Sequence, residues 1–160
     1  MSKKTLKNKK SPMFVFGYGS LVNDSSRKRT LKSNRKGYPA IISKKFGYKK
    51  KFNTVASTEN HIVMGIEPNK RKTTYIRGVI FKVNKKQRNN LKKREFVYTP
   101  INIPKKYINT KYNLPNKAKV MTFKPKYILN KKSKTKKIHK SYANIIKNGM
   151  KKLFGKKTYY

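Results

Sequence analysis

Met13-Phe14-Val15-Phe16-Gly17-Tyr18-Gly19-Ser20-Leu21 is the stretch whose reading decides the fold. Four apolar residues in a row, bounded by glycine, predict a short buried strand. Gly17-Tyr18-Gly19-Ser20 then predicts a turn whose two glycines permit positive φ or the close approach of another group. A strand ending in such a turn, beside a small hydroxyl residue, can present main-chain N–H groups to an anion. It can also be a tight turn with no ligand, because it lacks the third glycine of a dinucleotide fingerprint and the lysine of a phosphate loop.

Upstream, residues 1–12 carry Lys3, Lys4, Lys7, Lys9 and Lys10 with little to bury, and read as a basic flexible arm. Downstream, Asn23-Asp24-Ser25-Ser26 offers N-caps for a short helix over Arg27 to Leu31. Strands are predicted at Tyr38 to Ser43, at Tyr48 to Val55 after a bend at Gly47, and at His61 to Ile66. Tyr75 to Val83 is the clearest strand, and Gly78 within it marks a close backbone approach or a bulge.

Asn84 can cap a helix to about Arg94, mostly exposed because Leu91 is its main apolar residue. Val97 to Ile103, interrupted by Pro100 and followed by Pro104, reads as an edge strand. Residues 104–117 read as a loop, Val120 to Phe123 as a strand and 130–137 as a solvated basic loop. Ile138, Tyr142, Ile145, Ile146, Met150, Leu153 and Phe154 recur at helical spacing on one face, and Gly155 is placed to end that helix. Strands and helices do not alternate regularly, which predicts an α+β domain with a mixed sheet. The expected organisation is an arm at 1–12, one domain at 13–155 and a short tail at 156–160.

Composition bounds the chemistry. The chain of 160 residues is long enough for one domain with a real core. No run approaches the ~18 apolar residues of a membrane span, and no apolar segment of signal-peptide length follows the basic start. Without cysteine there is no disulfide, thiolate metal site or cysteine nucleophile. His61 and His139 stand far apart at no metal-ligand spacing, so no metal site is expected and both read as surface or core-edge residues.

Charge is the outlying property: 45 Lys and Arg against four acids, Asp24, Glu59, Glu67 and Glu95, for a net +41. The codon bias of an AT-rich genome, such as that of a giant virus, accounts for much of the lysine but not for the scarcity of glutamate. Self-repulsion on this scale calls for anions to screen it, which points to nucleic acid or another polyanion.

Three stretches together resemble the gamma-glutamylcyclotransferase-like family. They are Phe16-Gly17-Tyr18-Gly19-Ser20-Leu21 near the N-terminus, Arg94-Glu95-Phe96-Val97-Tyr98 after a strand and a helix, and Tyr142 to Gly149 in the pattern Tyr-x-x-x-Ile-x-x-Gly. The resemblance implies a small mixed β-barrel with flanking helices, cytoplasmic placement (host cytoplasm or virion for a viral chain), and no cofactor. It implies conversion of a small γ-glutamyl peptide or amine to 5-oxoproline plus free amine.

By the same resemblance Glu95 is the proton-transfer group, and Tyr18, Gly19, Ser20 and Leu21 form the substrate-holding loop. Tyr98 lines the pocket or sits at the core edge, while Tyr142 is expected to pack. Glu95 has an alternative as a surface partner of Arg94, Lys92 or Lys93. Lys92 and Phe96 depart from the family's pattern, which favours an acid and a small residue there, and a side chain as bulky as Phe96 can narrow the pocket or leave it open. The alternative function is a non-catalytic basic protein on the same fold, binding nucleic acid or packing in a virion through lysines spread over the whole chain.

Overall fold

In a computed structural model, residues 11–56, 61–129 and 137–155 are described. The arm, the basic loop and the tail expected from the sequence fall, all or most of each, outside these residues, as does Glu59.

β1, Met13–Gly17, lies inside a six-stranded sheet and is buried from Phe14 onward. It pairs antiparallel with β5, Ile76–Val83, in the register Val15↔Phe81, and parallel with β8, Lys119–Pro125, in the register Phe14↔Val120. β2, Tyr38–Ile42, joins the far side of β5, and β7, Ile108–Thr110, joins β2. β6, Tyr98–Ile103, closes the other side against β8. The order is therefore β6-β8-β1-β5-β2-β7. Consecutive residues of β1, which point to opposite faces of the sheet, are both buried, which is why its run is continuously apolar rather than alternating.

β3, Tyr48–Val55, and β4, Ile62–Pro68, form a separate two-stranded ribbon with a register shift between Phe52 and Thr54. At Gly65 the ribbon packs on β8, where an added Cβ would lie 2.5 Å from the Pro125 ring.

The architecture is mixed α+β, as expected, but the sheet does not close into the expected barrel. β6 and β7 end the large sheet without pairing to each other, and β3 and β4 pair as strands only with one another. Pro100 sits in β6, which is an edge strand, and a proline there withholds a donor from any further strand. β7 has only three residues and was expected to be loop.

Three α-helices flank the sheet among the described residues. α1, Asp24–Leu31, starts where the Asn23 side chain accepts from Ser25 N–H at 3.0 Å. α2, Lys85–Arg94, opens on a reciprocal cap in which Asn84 accepts from Gln87 N–H at 2.8 Å and Gln87 accepts from Asn84 N–H at 3.0 Å. Leu91 anchors α2 in the core. α3, Lys140–Phe154, buries Ile146, Gly149 and Met150 and ends at Gly155.

Gly149 brings α3 onto the main chain of the turn that follows β1: a Cβ there would stand 2.7 Å from the carbonyl group of Val22. Asn23 fixes the same junction by donating to the Ile145 carbonyl at 3.2 Å, and Lys152 pairs with Asp24. α3 is thus seated on the turn that follows β1.

Candidate active site

β1 delivers its last residue to a point where the chain must turn sharply. Gly17 and Gly19 have no positive φ, contrary to one expectation for them; close approach is what they serve. A Cβ on Gly17 would meet Leu21 Cβ at 2.7 Å, and one on Gly19 would meet the Tyr142 hydroxyl at 3.3 Å. Gly78, opposite on β5, leaves room for the Gly17 carbonyl, which an added Cβ would approach to 2.3 Å.

The chain then winds into a 3-10 turn, Ser20–Val22. The buried Arg27 guanidinium braces this turn from below by donating to the Leu21 and Val22 carbonyls at 2.9 and 3.1 Å. It also pairs with Asp24. Burial lowers the Arg27 pKa, and the nearby Asp24 carboxylate opposes that shift.

Above the turn is a narrow cavity of about 40 Å³. Tyr18, Gly19, Ser20, Leu21, Glu95 and Tyr98, the six residues singled out from the sequence, all line it. Glu95 arrives as the C-cap of α2, its N–H donating to the Leu91 carbonyl at 2.8 Å. Its side chain is only 15 % exposed, and burial raises the carboxyl pKa above the ordinary range while the Arg94 cation opposes the rise. The expected alternative, a Glu95–Arg94 ion pair, is present at 3.3 Å, but the carboxylate holds it from within the cavity wall.

Arg94 reaches further than its neighbour. Its guanidinium donates to Ser20 Oγ at 2.6 Å and to Ser26 Oγ at 3.1 Å. One side chain at the end of α2 therefore ties the glycine turn, α1 and the Glu95 carboxylate together. Because the Ser20 hydroxyl accepts from Arg94, its own hydrogen remains to be donated elsewhere.

β4 contributes a residue that the sequence did not single out. Met64 N–H donates to the Tyr142 hydroxyl at 3.0 Å, and the Tyr98 hydroxyl donates to the Met64 carbonyl at 2.7 Å. Two tyrosines thus satisfy both main-chain groups of one residue on the free edge of the ribbon. Tyr142 belongs to the cavity wall, where packing alone had been expected of it. Burial, and then a neighbouring tyrosine, push the Tyr18 and Tyr98 hydroxyls well above the usual phenol value. Burial pushes Tyr142 up to about 12. All three are neutral at pH 7, and Tyr18 donates to the Phe123 carbonyl.

An outer hollow of about 190 Å³ shares Ser20, Glu95, Tyr98 and Tyr142 with the inner cavity. Phe96 is absent from the wall of the inner cavity; it lines the outer spaces and is 52 % exposed. Among the described residues no group of three or more His, Asp or Glu side chains gathers to hold a metal. His61 and His139, far apart in the sequence, stack with centroids 4.4 Å apart. No described helix is long and apolar enough to cross a membrane.

The chain matches no protein-family model and no curated protein. Its shape is similar to solved structures at low identity. A gamma-glutamyl cyclotransferase superposes with a TM-score of 0.66 at 15% identity, over 90% of this chain and 81% of its own. An uncharacterized human protein gives 0.66 at 17% identity, over 91% of this chain and 82% of its own. A yeast gamma-glutamyl cyclotransferase specific to glutathione gives 0.60 at 16% identity, over 92% and 90%. At such identities the likeness shows the fold: this chain has a gamma-glutamylcyclotransferase-like fold.

Proposed function

We propose that the chain is a gamma-glutamylcyclotransferase, closing the γ-glutamyl unit of a small peptide or amine on itself. The observation that carries the reading is the convergence of Glu95 with the Tyr18–Leu21 turn on one cavity. The fold shared with cyclotransferases supports it.

In the reaction the substrate's α-amine nitrogen attacks the carbonyl carbon of its own side chain. A C–N bond forms in the five-membered ring, and the C–N bond to the acceptor amine breaks. The products are 5-oxoproline and the free amine. The proton lost by the attacking nitrogen is the one the departing nitrogen gains, and Glu95 carries it between them. Its raised pKa suits a group that must first accept and then return a proton.

Holding the head so that the ring can close falls to the Tyr18–Leu21 turn, to whose main-chain N–H groups and Ser20 hydroxyl we assign the α-carboxylate. Tyr142, whose hydroxyl accepts from Met64, keeps its hydrogen for the carbonyl oxygen as negative charge develops there. The inner cavity alone is too small for the whole head, so the substrate spans inner cavity and outer hollow. The test is release of 5-oxoproline from γ-glutamyl dipeptides, quantified with the matching free amine. Equimolar appearance of both is expected, and silence across the set from folded protein would overturn the assignment.

A second reading, nucleic-acid binding, is favoured by how few acids remain to offset the charge. Asp24 is taken by Arg27 and Lys152, Glu67 lies 3.8 Å from Lys51, and Glu95 is in the cavity wall. A hollow of about 300 Å³ between α1 and residues 33–36 is lined by Arg27, Lys28, Arg35 and Lys36 against one acid, Asp24, with Ser25, Ser33 and Asn34. Duplex affinity falling by about 10³–10⁵ between roughly 50 and 200 mM salt would support this reading, and affinity indifferent to salt would remove it.

A further inference from the structure

Beyond the outer hollow the wall turns apolar. An open cleft of about 480 Å³ shares Phe96 and Val97 with the hollow and continues over Val55, Tyr127, Ile128 and Leu129. Phe96, Tyr127 and Ile128 are 52, 85 and 46 % exposed. They make up three of the five large apolar side chains left exposed among the described residues, all on one cleft. In a chain with 45 cationic residues this is where solvent meets carbon, and apolar side chains gathered at one place mark a binding surface. Lys126 sets one cation among them.

The three spaces form a sequence. The inner cavity and the hollow share Glu95, and the hollow and the cleft share Phe96, the next residue along. A substrate whose scissile amide lies at Glu95 would send its acceptor group out past Phe96. We infer that the cleft is the acceptor subsite, and that the preferred substrates are γ-glutamyl dipeptides whose second residue carries a large apolar or aromatic side chain. This rests on the cyclotransferase reading given above. The Phe96, Tyr127 and Ile128 side chains cover the apolar group, and Lys126 meets the dipeptide's free carboxylate. The chemistry is unchanged: the departing nitrogen is the α-nitrogen of that second residue, and it leaves as the free amino acid.

The experiment compares kcat/KM for γ-glutamylphenylalanine, γ-glutamylleucine, γ-glutamylglycine and glutathione, in wild type and in Tyr127→Ser and Ile128→Ser. Both positions are exposed enough for the variants to fold. The phenylalanine and leucine substrates should exceed the glycine one by about ten- to hundredfold in wild type. Each substitution should shrink that ratio several-fold, and the double substitution should shrink it more. Comparable rates on all four substrates would overturn the acceptor subsite while leaving the cyclotransferase reading in place. An unchanged ratio in both variants would do the same. No 5-oxoproline from any substrate would overturn both.

Discussion

Arg94 donates to the Ser20 hydroxyl at 2.6 Å, joining the end of α2 to the turn after β1 across 74 positions of sequence. The same guanidinium touches Glu95 at 3.3 Å and Ser26 at 3.1 Å. Two substitutions separate its two effects. Arg94→Lys keeps a positive charge but not the planar fork, so it cannot hold both hydroxyls. Its expected signature is a raised KM from a loosened turn. Arg94→Gln removes the cation that opposes the rise in the Glu95 pKa. The acid limb of its pH–rate profile should lie at higher pH than in wild type, and an unmoved limb would contradict this account of Arg94.

The wild-type profile carries a prediction of its own. Burial raises the Glu95 pKa, so activity that needs the carboxylate should fall at a pH above 4.5, the ordinary value for the group. Stability follows with the opposite sense to a salt-bridged acid. The folded chain binds this proton more tightly than the unfolded one. The group's contribution is therefore most favourable at low pH and declines as pH rises from near 4.5 through the raised value. The Tm difference, Glu95→Gln minus wild type, should grow more positive across that window.

Tyr142→Phe tests the clamp on β4. Removing the hydroxyl strands the Met64 N–H that now donates to it at 3.0 Å. An unsatisfied buried donor costs about 1–3 kcal/mol, readable by urea unfolding. The Met64 amide should also exchange hydrogen faster, and unaltered protection there would mean that the clamp does not hold the strand.

How much of this was legible in the sequence varies with the kind of interaction. The apolar run of β1, the Asn84 cap and the stripe of α3 are local signals, and each predicted its element. Pro100 marked an edge strand because a missing donor shows in the sequence itself. β7 carries no such signal: three residues become a strand only because β2 offers an open edge beside them. Barrel closure was expected from resemblance, and pairing between edges depends on tertiary geometry that no local pattern records. Glu95 and the turn were singled out through their motifs, and they line one cavity. Met64 was not, because it serves through main-chain groups that every residue possesses. Arg94 was read only as a counter-charge, since its reach to Ser20 and Ser26 depends on how α1 and α2 pack.

Gly149→Ala tests whether α3 seats the turn. The added methyl would press on the Val22 main chain at 2.7 Å, where no side chain can swing aside. Overpacking of this kind costs about 1–3 kcal/mol. Because Val22 ends the turn that holds Ser20 and Leu21, 5-oxoproline formation should drop further than the lost stability alone explains. Normal stability with normal turnover would show that the contact relaxes without consequence.

The most direct test of the central claim is turnover by Glu95→Gln on a γ-glutamyl dipeptide, with 5-oxoproline as the readout and Tm as the control for folding. The substitution keeps the size of the side chain and removes its ability to carry a proton. The account predicts a kcat lower by about 10²–10⁴-fold in a protein at least as stable as wild type at pH 7. Turnover equal to wild type would contradict it.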